Sequence, residues 1–302
     1  MMNFFESVHA PDTGDSSSSA CMFLCGRKSR YREKFIPSIP KSRFSADDAR
    51  RYRAQVLEDL SPEEKEERFR DLQGIGTIVE ETEEFVSRCK QQMDEVLNRI
   101  GRETAYEQAL HMSPSYVQDE KLRLMFLRAD NFKPHRAANR MVRWFEEKLS
   151  IFGPDKLTRE IRLDDLDECE IAILESGCFH LPNVKDRMGR RLHVGIPHLE
   201  PRPHSIDNMK RAQFYQLMKL LADEDVQKRG VIGLLYMVGQ PASLLSNRQE
   251  TGQLQRQRMA IPIRYPAVHL CYDDPTLHNT IGFIALVTNA FTNARMFDHC
   301  GK

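Results

Sequence analysis

A chain of 302 residues, 40% apolar and 29% charged, is long enough for one large domain or two modest ones with a buried core. Its 44 Lys plus Arg balance 44 Asp plus Glu, so overall charge gives no pull towards nucleic acid or another polyanion. Seven cysteines, an odd number without a Cys-x-x-Cys pair, fit reduced thiols in a cytosolic protein better than a disulfide frame or a zinc site.

Residues 1–43 read as a disordered tail. The Ser-rich tract at 13–20 and Pro37 and Pro40 leave too few apolar side chains to offset ordering entropy, and Asp12 and Asp15 interrupt any secretory signal. Positions 27–53 carry ten basic residues against three acidic ones, an excess of seven; this is either a solvated tail or an attachment to an anionic membrane. From Phe44 the texture turns helical. Ser61, Pro62 and Glu64 form an N-terminal helix start, Gly74 and Gly76 punctuate, and Ile78, Phe85, Cys89, Met93, Val96, Leu97 and Ile100 predict a helix closed by Gly101. Positions 119–149 predict a helical hairpin. Leu122, Met125, Phe126 and Ala129 face the core on the first arm, and Ala138, Met141, Val142, Phe145 and Leu149 on the second. Arg123, Arg128, Arg136, Arg140 and Arg143 make a basic outer face.

A mixed α/β region, 151–302, follows the helical region 44–150. Segments 190–197, 230–239 and 266–274 are short and apolar with turn residues at their ends, and predict strands. A helix bearing Phe214, Leu217, Met218 and Leu221 lies between the first two, and 241–265 has room for a crossover helix. The expected class is therefore α/β: a mainly parallel sheet flanked by helices, preceded by an all-helical N-terminal region.

Catalytic signatures are sparse. The sequence holds no phosphate-binding Gly-x-x-x-x-Gly-Lys-Ser/Thr loop, no Gly-x-Gly-x-x-Gly and no Gly-x-Ser-x-Gly elbow. His193, His198 and His204 lack a carboxylate or cysteine at ligand spacing, so no metal or other cofactor is expected. Asp273, Asp274 and His278 could pair as acid and base, but Asp274 before Pro275 has the simpler chemistry of a helix cap.

One stretch departs from the rest: positions 275–294 contain no Asp, Glu, Lys or Arg. Leu277, Ile281, Ile284 and Phe291 share one side of a helical projection, while Phe283, Leu286 and Val287 widen the apolar surface. Thr276, His278, Asn279, Thr280, Thr288 and Asn289 dilute it too much for a bilayer span. Two readings remain: a core helix buried all round, or a helix that closes an apolar cavity and can also meet a membrane.

From about Asp119 to the C-terminus the chain resembles the CRAL-TRIO lipid-binding domain family. The resemblance rests on LRLMFLRADNFKPHRAANRM at 122–141, on Asp186, Gly189 and Arg190 entering a strand, on GVIGLLYMVGQ and YPAVHLCYDDP, and on RMFDHCG at 295–301 after the apolar stretch. Two features differ from the family pattern. Tyr236 and Val238 stand where acidic residues are usual, and Ala267 and Val268 follow Tyr265-Pro266 where phosphoinositide binders have Glu-Arg. The family's closing helix and Leu-Pro segment have no counterpart before Lys302, so the domain reads as truncated.

The resemblance implies a binder without enzymatic activity, with the apolar stretch as a mobile lid. Val231, Leu235, Met237, Val268, Leu270 and Tyr272 would be the pocket floor, Phe214 and Met218 a wall, Ile281, Ile284, Val287 and Phe291 the lid's underside, and Arg295 a headgroup contact. The implied partners are a hydrophobic lipid, phospholipid, tocopherol-like or retinoid-like, and transiently a membrane surface, for a cytoplasmic protein. A tail of about sixteen carbons gains on the order of 13 kcal/mol on leaving water, at roughly 0.8 per methylene, so apolar walls suffice. Two other readings are a degenerate module of the same fold with its pocket filled by its own side chains, and an α/β enzyme using His193 or His278.

Overall fold

In the computed structural model side chains cap the helices that open at Pro62 and Glu83. Helix α1 covers Ala46–Glu58 and α2 covers Pro62–Gln73. At the start of α2 the Glu64 amide donates to the Ser61 hydroxyl (3.2 Å) and the Ser61 amide to the Glu64 carboxylate (2.9 Å), which satisfies two otherwise unpaired donors. Gly74, at φ 66°, ends the helix in the left-handed region that a Cβ disfavours. The structure describes residues 46–75, 78–100, 104–201, 204–240, 248–288 and 290–301; the expected tail 1–43, Phe44, Gly76 and Gly101 lie outside the described residues.

Helix α3, Glu83–Leu97, buries Cys89, Met93, Val96 and Leu97 as their spacing predicts. It starts later than the periodicity suggests because the Thr82 hydroxyl accepts from the Phe85 amide (3.3 Å), and Ile78 is left exposed before it. Two short helices, α4 (Ala105–Met112) and α5 (Pro114–Val117), lead into the hairpin of α6 (Glu120–Ala129) and α7 (Pro134–Phe152). Leu122, Phe126, Ala129, Ala138, Met141 and Phe145 are buried on the expected faces.

The hairpin's basic exterior is corrected in part. Arg123 and Arg128 are buried, because carboxylates distant in sequence come to meet them. Arg123 pairs with Asp94 on α3, and Arg128 with Glu81 (2.6 Å) and Glu224 (2.7 Å). Arg140 pairs with the buried Asp130 at 2.7 Å. A buried guanidinium is tolerated only when its charge is matched in this way.

Helix α8 (Glu168–Glu175) leads to strand β1 (Phe179–His180). Strand β2 (Arg191–Gly195) follows a turn in which Asp186 accepts from the Met188 and Arg190 amides, both at 2.9 Å, with Gly189 at φ 76°. Then come α9 (Ile206–Leu220), α10 (Glu224–Arg229), β3 (Val231–Met237), α11 (Arg248–Ala260) and β4 (Ala267–Tyr272). The chain ends with α12 (His278–Val287), α13 (Ala290–Asn293) and β5 (Met296–Cys300). The sheet order is β1-β2-β3-β4-β5, with β1 antiparallel and the other pairs parallel. The expected α/β class with a mainly parallel sheet therefore stands.

Strand order that follows chain order, with right-handed crossovers, puts the connecting helices on one sheet face. That face carries Val231, Leu235 and Met237 of β3, beside Val268, Leu270 and Tyr272 of β4. The opposite face carries Ile232, Leu234 and Tyr236, the last 40% exposed. Helix α9 lies over the first half of β3: Val231 joins a cluster with Phe214 and Leu217 that runs back through Trp144, Phe145 and Phe126 to Met93. The expected boundary at residue 150 falls inside this continuous core, and the described residues on both sides of it belong to one unit. A helical region and a sheet that share their apolar interior have no separate surfaces to part along.

Candidate functional site

The apolar stretch begins with a cap. The Thr276 amide donates to the Asp274 carboxylate (2.8 Å), Pro275–Leu277 forms a 3₁₀ turn, and α12 follows. The helix expected across this stretch is interrupted. Thr288 leaves helical geometry (ψ 139°) while its hydroxyl donates to the Ile284 carbonyl at 2.6 Å, and the short α13 comes after the break.

Beneath α12 lies a second apolar cluster, distinct from the main core. Ile281 and Ile284 pack with Met237, Leu270 and Tyr272, and half-buried Leu235 and Val268 flank them. In-register pairing of Leu235 with Leu270 and Met237 with Tyr272 brings these side chains together. Seven of the expected pocket residues thus meet in one layer. Leu277 and Met296 complete it: Leu277 lies four residues before Ile281 on the helical side already read from the sequence, although it was not among the expected pocket residues, and no sequence pattern marked Met296 as one.

Three expected residues are placed elsewhere. Phe214 stacks on Trp144 (centroids 5.7 Å apart) and meets Phe152 edge-on (5.3 Å); Met218 and Val231 belong to the same main core. The cause is the crossing position of α9, over the start of β3, whereas α12 covers its end. The side chains of Val287 and Phe291 lie outside the described residues.

Arg295 is 1% exposed and bound within the protein. Its Nε donates to Asp71 Oδ2 at 2.8 Å, and Arg264 Nη1 lies 3.5 Å from Asp71 Oδ1. Burial draws the Arg295 pKa down, and Asp71 opposes that shift. This acidic partner comes from α2, far upstream, and Arg190 also donates to the Asp71 carbonyl at 2.6 Å. No short-range pattern connects these positions.

Helix α12 is enclosed on further sides. Phe283 is 2% exposed, and its ring lies against α11, where a Cβ added at Gly252 would sit 3.8 Å from it. Helix α1 packs across α12, and Tyr52, Val56 and Leu60 form a small apolar cluster with Ala294. Arg53 donates to the Met296 carbonyl (2.5 Å) and pairs with Asp298, while Arg68 Nε donates to the Ala294 carbonyl (2.5 Å).

The histidines have separate environments. His193 is buried with Nδ1 3.0 Å from the Tyr265 hydroxyl, and burial, aided by Arg258, holds its pKa at about 3, so it is neutral at pH 7. His198 meets Gln240 (2.6 Å), His204 the Pro201 carbonyl and His278 the Pro275 carbonyl (2.6 Å). Asp273 accepts from the Gly239 amide (3.0 Å), so Asp273, Asp274 and His278 each have a local structural partner. A polar cleft of about 360 Å³ lies apart from the apolar layer, lined by Lys156, Asp165, Asp167, Glu170 and Arg211 among others. Its acids are already matched: Asp165 by Arg159 (2.7 Å) and Glu170 by Arg211 (2.8 Å).

A scan against protein-family models finds no match to the chain, and a search of curated proteins finds none either. The likeness to CRAL-TRIO domains accordingly rests on the motifs quoted above.

Proposed function

We propose that the protein binds a hydrophobic, lipid-like ligand between α12 and the ends of β3, β4 and β5, and carries or senses it at membranes. The observation that supports this reading is that the hydrophobic layer under α12 is separate from the main core rather than an extension of it. The layer's described members are Met237, Leu270, Tyr272, Leu277, Ile281, Ile284 and Met296, with His278 edge-on to Tyr272 at its margin (centroids 5.3 Å), and its roof comes from a stretch without Asp, Glu, Lys or Arg. An acyl chain or isoprenoid tail needs such walls and little else. Opening exchanges contacts of α12 with the sheet for contacts with ligand or bilayer. Among the described residues no helix is long and apolar enough to cross a membrane, so α12 would meet a bilayer at its surface.

A second reading, a ligand-free module of the same fold, is favoured by the packing of that layer: Met237, Leu270 and Tyr272 are at most 2% exposed and meet Ile281 and Ile284 directly. Solvent extraction of the purified protein followed by mass spectrometry separates the two. A stoichiometric co-purifying lipid, displaced by excess labelled lipid, is expected. Protein repeatedly free of any bound or exchangeable lipid would overturn the proposal. In the ligand-free case Ile284→Asp lowers stability and has no lipid exchange to alter.

A further inference from the structure

The main core and the layer under α12 lie on the same face of β3 without merging. On that face Val231 belongs to the core and Leu235 flanks the α12 layer, with Gly233 between them. Gly233 pairs in register with His193 of β2, and the Tyr265 ring lies 3.3 Å from where a Cβ on Gly233 would stand. Polar groups therefore interrupt the apolar face at this point.

Three of these groups have hydrogen-bonding capacity that the fold leaves unused. Gln213 on α9 is 0% exposed; its Oε1 accepts from Arg258 Nε on α11 at 3.1 Å, and its Nε2 has no partner among the described residues. The Arg258 donor fixes the orientation of the Gln213 amide, so the unused end is an N–H donor. His193 is 6% exposed, with Nδ1 at the Tyr265 hydroxyl and Nε2 without a partner among the described residues. When Tyr265 donates to Nδ1, the proton of the neutral ring sits on Nε2. Arg258 is half-buried and has no carboxylate partner among the described residues. Burial draws its pKa down, Tyr265 and Glu200 oppose that shift, and Glu200 itself lies 3.7 Å from His204. What remains is a set of N–H donors around a cation, and its complement is an anionic acceptor.

The surroundings say what that acceptor is attached to. Leu235, the next side chain along this face, flanks the α12 layer, and opposite it on β2 stands Gly195, where a Cβ would lie only 3.0 Å from Leu235 Cδ1. On α11, Gln255 donates to the Thr288 hydroxyl at the end of α12 (2.9 Å), and Arg258 lies three residues further along the same side. The apolar layer and the polar cluster thus adjoin along both β3 and α11. From this we infer that Arg258, Gln213 and His193 receive the carboxylate of a fatty-acid-like amphiphile whose tail lies under α12. This rests on the ligand-binding reading and deepens it, since the lipid becomes an acid rather than a neutral alcohol or hydrocarbon. The close packing around Gly233 suits a small planar carboxylate better than a phosphodiester with its substituents.

The test compares oleate with oleyl alcohol, which has the same tail without the charge, each delivered from cyclodextrin to the full chain and followed by titration calorimetry. Oleate should bind at least about tenfold more tightly. Arg258→Met should abolish that ratio by weakening oleate and leaving the alcohol unchanged. Gln213→Glu, which gives Arg258 an internal carboxylate, should raise the melting temperature and abolish the ratio too, so the test does not depend on a variant that loses the guanidinium. Millimolar acetate should leave oleate bound; displacement would show that a free carboxylate is the occupant and overturn the assignment to a lipid. Equal affinity of the wild type for oleate and the alcohol, or an oleate preference that survives in either folded variant, overturns the carboxylate site and leaves the ligand-binding reading in place. Binding of neither compound overturns both.

Discussion

Asp71 and Arg295, 224 positions apart, form an ion pair at 2.8 Å in which both side chains are almost fully withdrawn from water. Asp71 also faces Arg264 at 3.5 Å and receives Arg190 on its carbonyl, so α2 is tied to the entries of β2, β4 and β5. Two buried guanidinium groups share this one carboxylate. Replacing one partner of such a cluster leaves uncompensated charge in a low-dielectric interior, which costs far more than the intact pair contributes.

Asp71→Asn should therefore lower unfolding free energy by about 3–5 kcal/mol, read from urea denaturation. The double variant Asp71→Asn/Arg295→Met should recover a large part of that loss, because one stranded cation goes with its partner. Additive losses in the two single variants would indicate that the side chains do not interact.

Lys148 gives a pH dependence of definite sign. It is 1% exposed, with Nζ 4.8 Å from the ring centres of both Tyr116 and Trp144, and donates to the Tyr116 hydroxyl (2.9 Å) and the Arg159 carbonyl (2.5 Å). Burial, reinforced by Arg159, pulls its pKa down to about 7. In the unfolded chain the amine holds its proton up to about pH 10.4. Between those values the unfolded state binds more protons than the native state, so the contribution of Lys148 to stability rises with pH from about 7 to 10.4 and is at its least favourable below 7. Lys148→Met should remove this slope. Relative to the variant, the wild type should gain stability between pH 6 and pH 10, by at most about 4 kcal/mol. Parallel denaturation midpoints of the two proteins across that range would show that the native amine keeps its proton.

Local chemistry was legible in the sequence, and long-range pairing was not. The capping box at Ser61 and Glu64, the Asp186 turn and the strands β2, β3 and β4 follow from residue types within a few positions of one another. Arg123 and Arg128 were misread as a solvated face because helical spacing reports only which residues share a side. It cannot report that Asp94, Glu81 and Glu224 arrive there from other elements. Phe214 and Met237 illustrate the same limit for the candidate site. Both lie on apolar faces turned towards one another's elements, but the crossing point of α9 along β3 decides which cluster each joins, and side-chain periodicity does not encode that point. The break at Thr288 depends on a single hydroxyl turning back to the Ile284 carbonyl, an option open to many threonines that stay helical.

Two glycines with the same backbone separate strain from collision. Gly230, at φ 76°, ends α10 with its amide on the Val226 carbonyl (2.8 Å), and a Cβ there would lie 2.8 Å from the Arg264 carbonyl oxygen and from Pro266 Cδ. Gly153 has φ 76° as well, but a Cβ there would meet nothing within 4 Å. Gly153→Ala should therefore cost only the strain of this glycine-favoured backbone (φ 76°, ψ 176°), on the order of 1–3 kcal/mol. Gly230→Ala adds a clash with backbone that is fixed at the junction of β3 and β4, where the Val231 amide donates to the same Arg264 carbonyl (2.9 Å). That carbonyl cannot retreat without breaking the entry of β3 into the sheet, so the loss should exceed that of Gly153→Ala by at least about 1 kcal/mol. Thermal melts of the two variants at one pH provide the comparison, and equal melting temperatures would mean that the junction yields to a methyl group without resistance.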